Sequence, residues 1–276
     1  MQEYTREEQI ATALARSFGP EDEFIVATTN NLGMVGVALA QRLYAPRMKM
    51  HVNAKGRGAL LGHVRVPFAT GEPSDELIET AFNMKEIFET IHRGKWSMLM
   101  QPVQIDSLGN TNLLLIGDKK KPSRIFLGPR GLPDNTVNGV RVDYVIPDHN
   151  TRVFVENVDF ICGIGEGPAR EQGIVRWKAQ ETVFSNLGVF DFDEATGRMR
   201  VKSLYTDVTI EQVIDNTGFE LVIPDPVPKA ELPTKEELQL LREEIDPLGT
   251  ARLDLVKGDA RKELLKHIQE GIARMR

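Results

Sequence analysis

The first 55 residues order themselves as helix, strand, helix, strand, and that order limits the fold more than any other feature of the chain. "TREEQIATALARSF" begins with a capping box, Thr5 and Glu8, in which each residue satisfies the other's backbone N–H. Ile10, Leu14 and Phe18 share one helical face, and Gly19-Pro20 stops the helix. "EFIVATT" is a short continuous apolar run, as a buried parallel strand presents. "LGMVGVALAQRLY" reads as a helix with small residues on one side, ended by Ala45-Pro46. "MKMHVNA" alternates as the next strand. A strand, a crossover helix and a second strand make a βαβ unit and hence a parallel sheet.

The rest of the chain extends this pattern. "PSDELIETAFNMKEIFETIH" predicts one amphipathic helix with Leu77, Ile78, Ala81, Met84, Ile87, Phe88 and Ile91 as its apolar stripe. "SMLMQPVQI", "NLLLIG", "SRIFLG", "VDYVIP", "TRVFVENVDFICGIG", "VRWKAQETVFS", "GVFDFD" and "MRVKSLY" read as strands, the last two joined by the hairpin turn "DEATGR". "VTIEQVIDNTGF" is a short helix with a glycine stop, and "PDPVPKAELP" is an extended proline-rich stretch. Two helices follow: "TKEELQLLREEI", with a capping box at Thr234 and Glu237, and "DARKELLKHIQEGIARMR". The expected fold class is α/β, with a mainly parallel sheet flanked by helices and a C-terminal helical arm. One domain covers residues 1–248, and residues 249–276 form the extension. The last helix must bury Leu264, Leu265, Ile268, Ile272 and Met275 on this chain or on a partner.

Composition excludes several classes of function. The net charge of −6 argues against a nucleic-acid partner, which requires a basic patch, and "DKKKPSR" reads as a solvated turn. The single cysteine, Cys162, allows no disulfide within the chain and no cysteine metal site. It reads as a buried inert thiol, because no basic neighbour lowers its pKa. The five histidines show no pair at ligand spacing, so no metal is expected. The acidic N-terminus is no signal peptide, and no apolar run approaches the roughly 20 residues that span a bilayer, so the expectation is a cytoplasmic protein with no membrane partner.

Three motifs compete for the chemistry. "GIGEG" at 163–167 departs from the dinucleotide fingerprint and reads as glycines that admit close backbone packing. "QIDSLGNTN" reads as a tight turn in which Asp106 and the asparagines satisfy their own backbone. "GPRG" displays Arg130 on a glycine loop, where a guanidinium either grips a carboxylate or phosphate or is merely exposed. Beyond these, "RLYAPRMKMHVNAKG" puts His51, Asn53 and Lys55 at a strand tip, where α/β proteins form their ligand crevice, before a polar loop.

"GVALAQRLYAP", "QIDSLGNTN", "GPRGLPDNTVN", "RVFVENVDFICGIG", "VFSNLGVFDFD", "DVTIEQVIDNTGFEL" and "LQLLREEIDP" occur in that order. Together they make the chain resemble the β subunits of family I coenzyme A transferases of the glutaconate type. That resemblance implies a CoA-transferase-like fold and a glutamate nucleophile that carries CoA as a thioester. Counted from "RLYAP", the glutamate's position is Asn53, and an amide has no anionic oxygen with which to attack. "GPRGLPDNTVN" and "VFSNLGVFDF" resemble the branch of two-subunit hydrolases that open a ring in steroid degradation. In that branch the catalytic glutamate lies on the α subunit. The resemblance then implies no nucleophile on this chain, with Asn31, His51, Asn53 and Arg130 as candidates to line the acyl-CoA site; the alternative for Asn53 is a residue that only caps a turn. It implies a CoA-transferase-like α subunit as partner, in a heterodimer or an α2β2 assembly, with the CoA thioester as substrate and no tightly bound cofactor. A true CoA transferase and a non-catalytic scaffold subunit are the alternatives.

Overall fold

The structure is a computed structural model of the chain and describes residues 3–27, 30–54, 57–62, 78–129, 131–177 and 180–275. The chain opens with α1 (Arg6–Ala15), β1 (Phe24–Val26), α2 (Asn31–Leu43), β2 (Lys49–Ala54), β3 (Arg57–Leu61), β4 (Thr80–Phe82) and α3 (Met84–Ile91). It continues with β5 (Trp96–Met100), β6 (Gln104–Ile105), β7 (Thr111–Asn112), β8 (Leu115–Ile116), β9 (Arg124–Ile125), α4 (Leu132–Asn138), β10 (Arg141–Ile146) and α5 (Glu166–Glu171). Then come β11 (Gln180–Ser185), β12 (Gly188–Phe192), β13 (Met199–Leu204), α6 (Ile210–Asp215) and α7 (Lys235–Leu240). A π turn (Leu241–Ile245), a 3-10 helix (Thr250–Asp254) and α8 (Gly258–Met275) end it.

Two compact units form, Met1–Phe88 with Glu231–Arg276 and Glu89–Ala230. In the first, β1 and β2 pair in parallel, and β3 and β4 continue from β2 as antiparallel strands. In the second, β5, β10 and β11 pair in parallel, and β12 and β13 add an antiparallel margin. Parallel strands with both faces buried lead the sheet, as the continuous burial of β10 from Arg141 to Ile146 illustrates. This is the expected α/β architecture with flanking helices and a C-terminal helix.

The first unit is closed by close helix packing. A Cβ on Gly36 of α2 would lie 2.6 Å from Leu14 Cδ2 and 3.2 Å from the carbonyl of Ala11, so a larger residue would force the buried Leu14 side chain, and α1 with it, to shift. Ile10, Leu14, Val37 and Leu39 are fully buried there. Glu237 at the start of α7 is 0% exposed and accepts from Arg16 Nε at 2.7 Å, Arg16 Nη2 at 2.6 Å and Tyr44 Oη at 2.7 Å. It thereby ties the C-terminal segment to α1 and to the end of α2. Ile268 of α8 is buried, while Leu264, Leu265 and Ile272 are half-buried.

Four readings of the sequence need correction. Among the described residues of the helix expected over 73–92, only Met84–Ile91 is helical and Thr80–Phe82 is a strand on β3; residues 73–77, Leu77 among them, lie outside the described residues. Asn83 starts the helix: its Oδ1 accepts from Glu86 N at 3.0 Å and its N–H donates to Glu86 Oε2 at 2.8 Å. The segment after Asn53 is not a polar loop throughout, since Arg57–Leu61 returns as β3. The strand expected over 151–165 makes only single bridges, at Phe154 and Gly163. Local side-chain bonds displace a ladder there; Asn150 Oδ1, for example, accepts from Arg152 N at 2.9 Å. Finally, "LPDNTVN" and "EGPARE" are short helices that the sequence pattern does not announce, each with proline in its first turns. Among the described residues no helix is long and apolar enough to cross a membrane.

Candidate functional site

The candidate site is built on one edge of the first unit. β1 and β2 run in parallel, with Val26 opposite His51. Parallel neighbours end on the same edge, so the start of α2 at Asn31 and the tail of β2 share it. β2 continues three residues past that register, and Asn53 pairs with Gly58 of the returning β3. The strand tip is thus one arm of a hairpin. For Asn53 the structure gives the backbone position alone, and Arg130 and Lys55 lie outside the described residues.

His51 lies deeper than a ligand-facing group usually does. It is 3% exposed, and burial lowers its pKa to about 4. At neutral pH it is a neutral imidazole, unable to offer a full positive charge to an anion.

The amino terminus of α2 is more fully constructed than the sequence suggested. Asn30 is the N-cap, and its Oδ1 accepts from Gly33 N at 2.7 Å. Asp254 of the 3-10 helix accepts from Leu32 N through Oδ2 at 2.8 Å. Met34 N completes the first turn by donating to the Asn30 carbonyl at 3.1 Å. Burial pushes the Asp254 carboxyl up, against the pull of the Leu32 amide and of the Arg261 charge. Asn30 carried a legible signal, a cap residue before "NLG". Asp254 carried none, since 222 residues separate it from its partner.

The second unit holds a cluster that resembles a nucleophile and its base. His149 Nδ1 lies 2.9 Å from Ser185 Oγ, and Nε2 lies 3.0 Å from Thr217 Oγ1. Thr217 donates its own hydrogen to the Val213 carbonyl at 2.8 Å, so Nε2–H must donate to Thr217 and Ser185 must donate to Nδ1. Ser185 is fully buried, and the imidazole stacks on Phe154 with ring centroids 3.5 Å apart. Burial holds the His149 pKa at about 3. The arrangement is a satisfied core network with no exposed atom to attack a substrate.

The remaining motifs also resolve into packing. A Cβ on Gly165 would fall 1.9 Å from the Leu108 carbonyl oxygen, and one on Gly163 would fall 2.6 Å from Thr111 Oγ1. The chain's own 106–111 turn fills the space that a phosphate would need. In that turn Asp106 Oδ1 accepts from Leu108 N and Asn110 N, both at 3.0 Å. Cys162 is buried, its thiol pKa is raised by burial, and its sulfur accepts from Leu113 N at 3.3 Å.

Known proteins place these features in context. The profile of the family described as "Coenzyme A transferase" matches residues 8–216. The chain is 36% identical over 244 residues to the "Cholesterol ring-cleaving hydrolase IpdB subunit" of Mycobacterium tuberculosis, covering 88% of this chain and 95% of that one. It is 28% identical over 263 residues to one of the subunits of the glutaconate CoA-transferase of Acidaminococcus fermentans, covering 88% and 93%. The crystal structure of Rhodococcus jostii IpdAB superposes with a TM-score of 0.82 at 31% identity, covering 93% of this chain and 100% of that one.

Proposed function

Because the chain belongs to the coenzyme A transferase family, we propose that it is the β subunit of a two-subunit enzyme that opens a carbon ring of a cyclic β-diketone acyl-CoA by hydrolysis. The observation that carries this reading is the 36% identity, over 95% of its length, to a subunit named as a cholesterol ring-cleaving hydrolase. Asn53 at the counted position of the family's glutamate supports the same reading.

In this reaction water adds to one ring carbonyl as a base removes its proton. The bond between that carbonyl carbon and the carbon flanked by both carbonyls then breaks. Its electron pair leaves as an enolate stabilised by the second carbonyl. The products are a carboxylate and, after protonation of the enolate, a ketone. A carboxylate serves as the base, and hydrogen-bond donors hold the developing oxyanion. On this reading the carboxylate belongs to the α subunit. This chain supplies donors and a wall: Asn31 at the head of α2 and Asn53 on the β2–β3 hairpin, with neutral His51 buried on the same strand as Asn53.

A transferase of the glutaconate type is the second reading, favoured by the 28% identity to a subunit of such an enzyme. The two differ in covalent chemistry. Co-purified subunits are screened against acyl-CoA thioesters, with borohydride or hydroxylamine trapping during turnover and peptide mass analysis. The hydrolase reading expects ring-opened product and no modified glutamate on this chain. A glutamyl thioester on any of its residues overturns that reading in favour of transfer.

A further inference from the structure

The C-terminal arm brings a carboxyl group to the head of α2. Asp254 reaches from the 3-10 helix to the first turn of α2, where its Oδ2 accepts from Leu32 N, the amide next to Asn31, at 2.8 Å. Gly33 N donates to Asn30 Oδ1 and Met34 N to the Asn30 carbonyl, so with Leu32 N three amides of the first turn have named acceptors. The arm is held in place at several points. Asp246 Oδ1 accepts from Thr250 N at 2.7 Å and Oδ2 accepts from Ala251 N at 2.9 Å, fixing the start of the 3-10 helix. Arg261 of α8 donates to the Leu253 carbonyl, next to Asp254. Thr250 is fully buried, and Ala251 and Leu253 are each 2% exposed, so the helix packs as core and not as a loose tail. These residues lie beyond the 8–216 span that the family profile matches.

We propose that Asp254 is a positioning residue for the acyl-CoA site: its carboxylate serves as an internal anion at the head of α2, sets Asn31 for the substrate, and denies this helix terminus to external anions. The inference rests on the proposed function, in which Asn31 contacts substrate. A helix amino terminus with open amides attracts anions, and an acyl-CoA brings several phosphates that could seat there unproductively. A built-in carboxylate removes that competing mode and fixes the backbone of Asn31 at the same time.

The test uses the co-purified two-subunit complex with 3-(2,6-dioxocyclohexyl)propanoyl-CoA as probe and the variants Asp254→Ala and Asp254→Asn. Asp254→Ala is expected to lower kcat by about ten- to a hundredfold, as for a catalytic contact displaced by about 1 Å, with KM changed less than about threefold. Acetate, a free carboxylate, should recover most of the lost kcat, and chloride at equal ionic strength should not. Asp254→Asn keeps one accepting oxygen and should fall between, and it serves where Asp254→Ala fails to assemble. A lowered melting temperature with kcat unchanged assigns Asp254 to stability alone and overturns the proposal. If the unaltered complex leaves the probe intact, the proposed function takes the blow and acetate titration of the melting temperature reads the internal anion separately. Acetate stabilising Asp254→Ala but not the unaltered complex supports the internal anion at the head of α2, while the positioning role stands only on the kcat response, and equal responses overturn the proposal.

Discussion

Tyr44 donates its phenolic hydrogen to Oε1 of Glu237 across 2.7 Å, and Arg16 grips the same carboxylate through Nε and Nη2. Glu237 is 0% exposed, and its hydrogen bonds hold its carboxyl below the ordinary range in spite of burial. Removing one member of such a pair strands the other. Glu237→Ala should therefore cost about 3 kcal/mol in urea unfolding at pH 7, and Glu237→Gln about half that. A folded-state pKa below the unfolded one contributes stability above the unfolded value and loses it as pH falls through the folded one. The gap between the parent chain and Glu237→Gln should accordingly narrow below about pH 4. A gap that widens on acidification would contradict the ion pair.

Two buried histidines predict a second acid sensitivity at higher pH. His51 and His149 have folded pKa values of about 4 and about 3, against an ordinary value of 6.5. Below about pH 6.5 the unfolded chain binds protons that the folded chain refuses, so stability falls as pH falls. Each histidine adds a slope of about 1.4 kcal/mol per pH unit until its folded pKa is reached. Urea unfolding at pH 7, 6 and 5 measures that slope. His149→Gln should lower stability at pH 7 through loss of the stacked ring and reduce the slope by about one histidine's share. An unchanged slope would mean that His149 protonates in the folded chain.

Gly165 tests the packing account of "GIGEG". A methyl group there would meet the Leu108 carbonyl oxygen at 1.9 Å, and backbone cannot yield as a side-chain tip can. Gly165→Ala should destabilise by about 2–3 kcal/mol, as forced overpacking does. Its cost should be the same with or without added nucleotide, because the chain itself fills the space. Stabilisation of the parent chain by a dinucleotide, abolished in Gly165→Ala, would restore the phosphate-loop reading.

These sites also show what the sequence made legible. The capping boxes Thr5–Glu8 and Thr234–Glu237 and the hairpin turn between β12 and β13 were readable because their causes lie within a few residues. The box at Asn83 and Glu86 was equally local, but an apolar periodicity running across it suggested one longer helix. Thr80–Phe82 became a strand because β3 offered it a ladder, a tertiary fact that periodicity does not contain. Of the candidate site, the shared edge of β1 and β2 followed from parallel pairing. The burial of His51 and the docking of Asp254 did not, because both depend on segments that meet only after folding.

The sharpest prediction concerns Asn53. On the proposed reading it is an amide donor on a strand whose family counterpart carries a nucleophile, and its backbone is fixed by pairing with Gly58. Asn53→Glu keeps the strand but replaces a donor with an anion. Hydrolysis of the cyclic β-diketone probe should fall by roughly a hundred- to a thousandfold, the usual loss with one oxyanion donor. Transfer of CoA to a free acid should not appear, because a nucleophile about 1 Å out of place loses on the order of a hundredfold. Steady-state hydrolysis and trapping of any glutamyl thioester, followed by peptide mass analysis, read both outcomes in one preparation. Hydrolysis left unchanged would make Asn53 a turn residue with no part in the chemistry. A trapped thioester at position 53 with efficient transfer would mean that the strand still presents the nucleophile's geometry, and would favour the transferase reading over the hydrolase one.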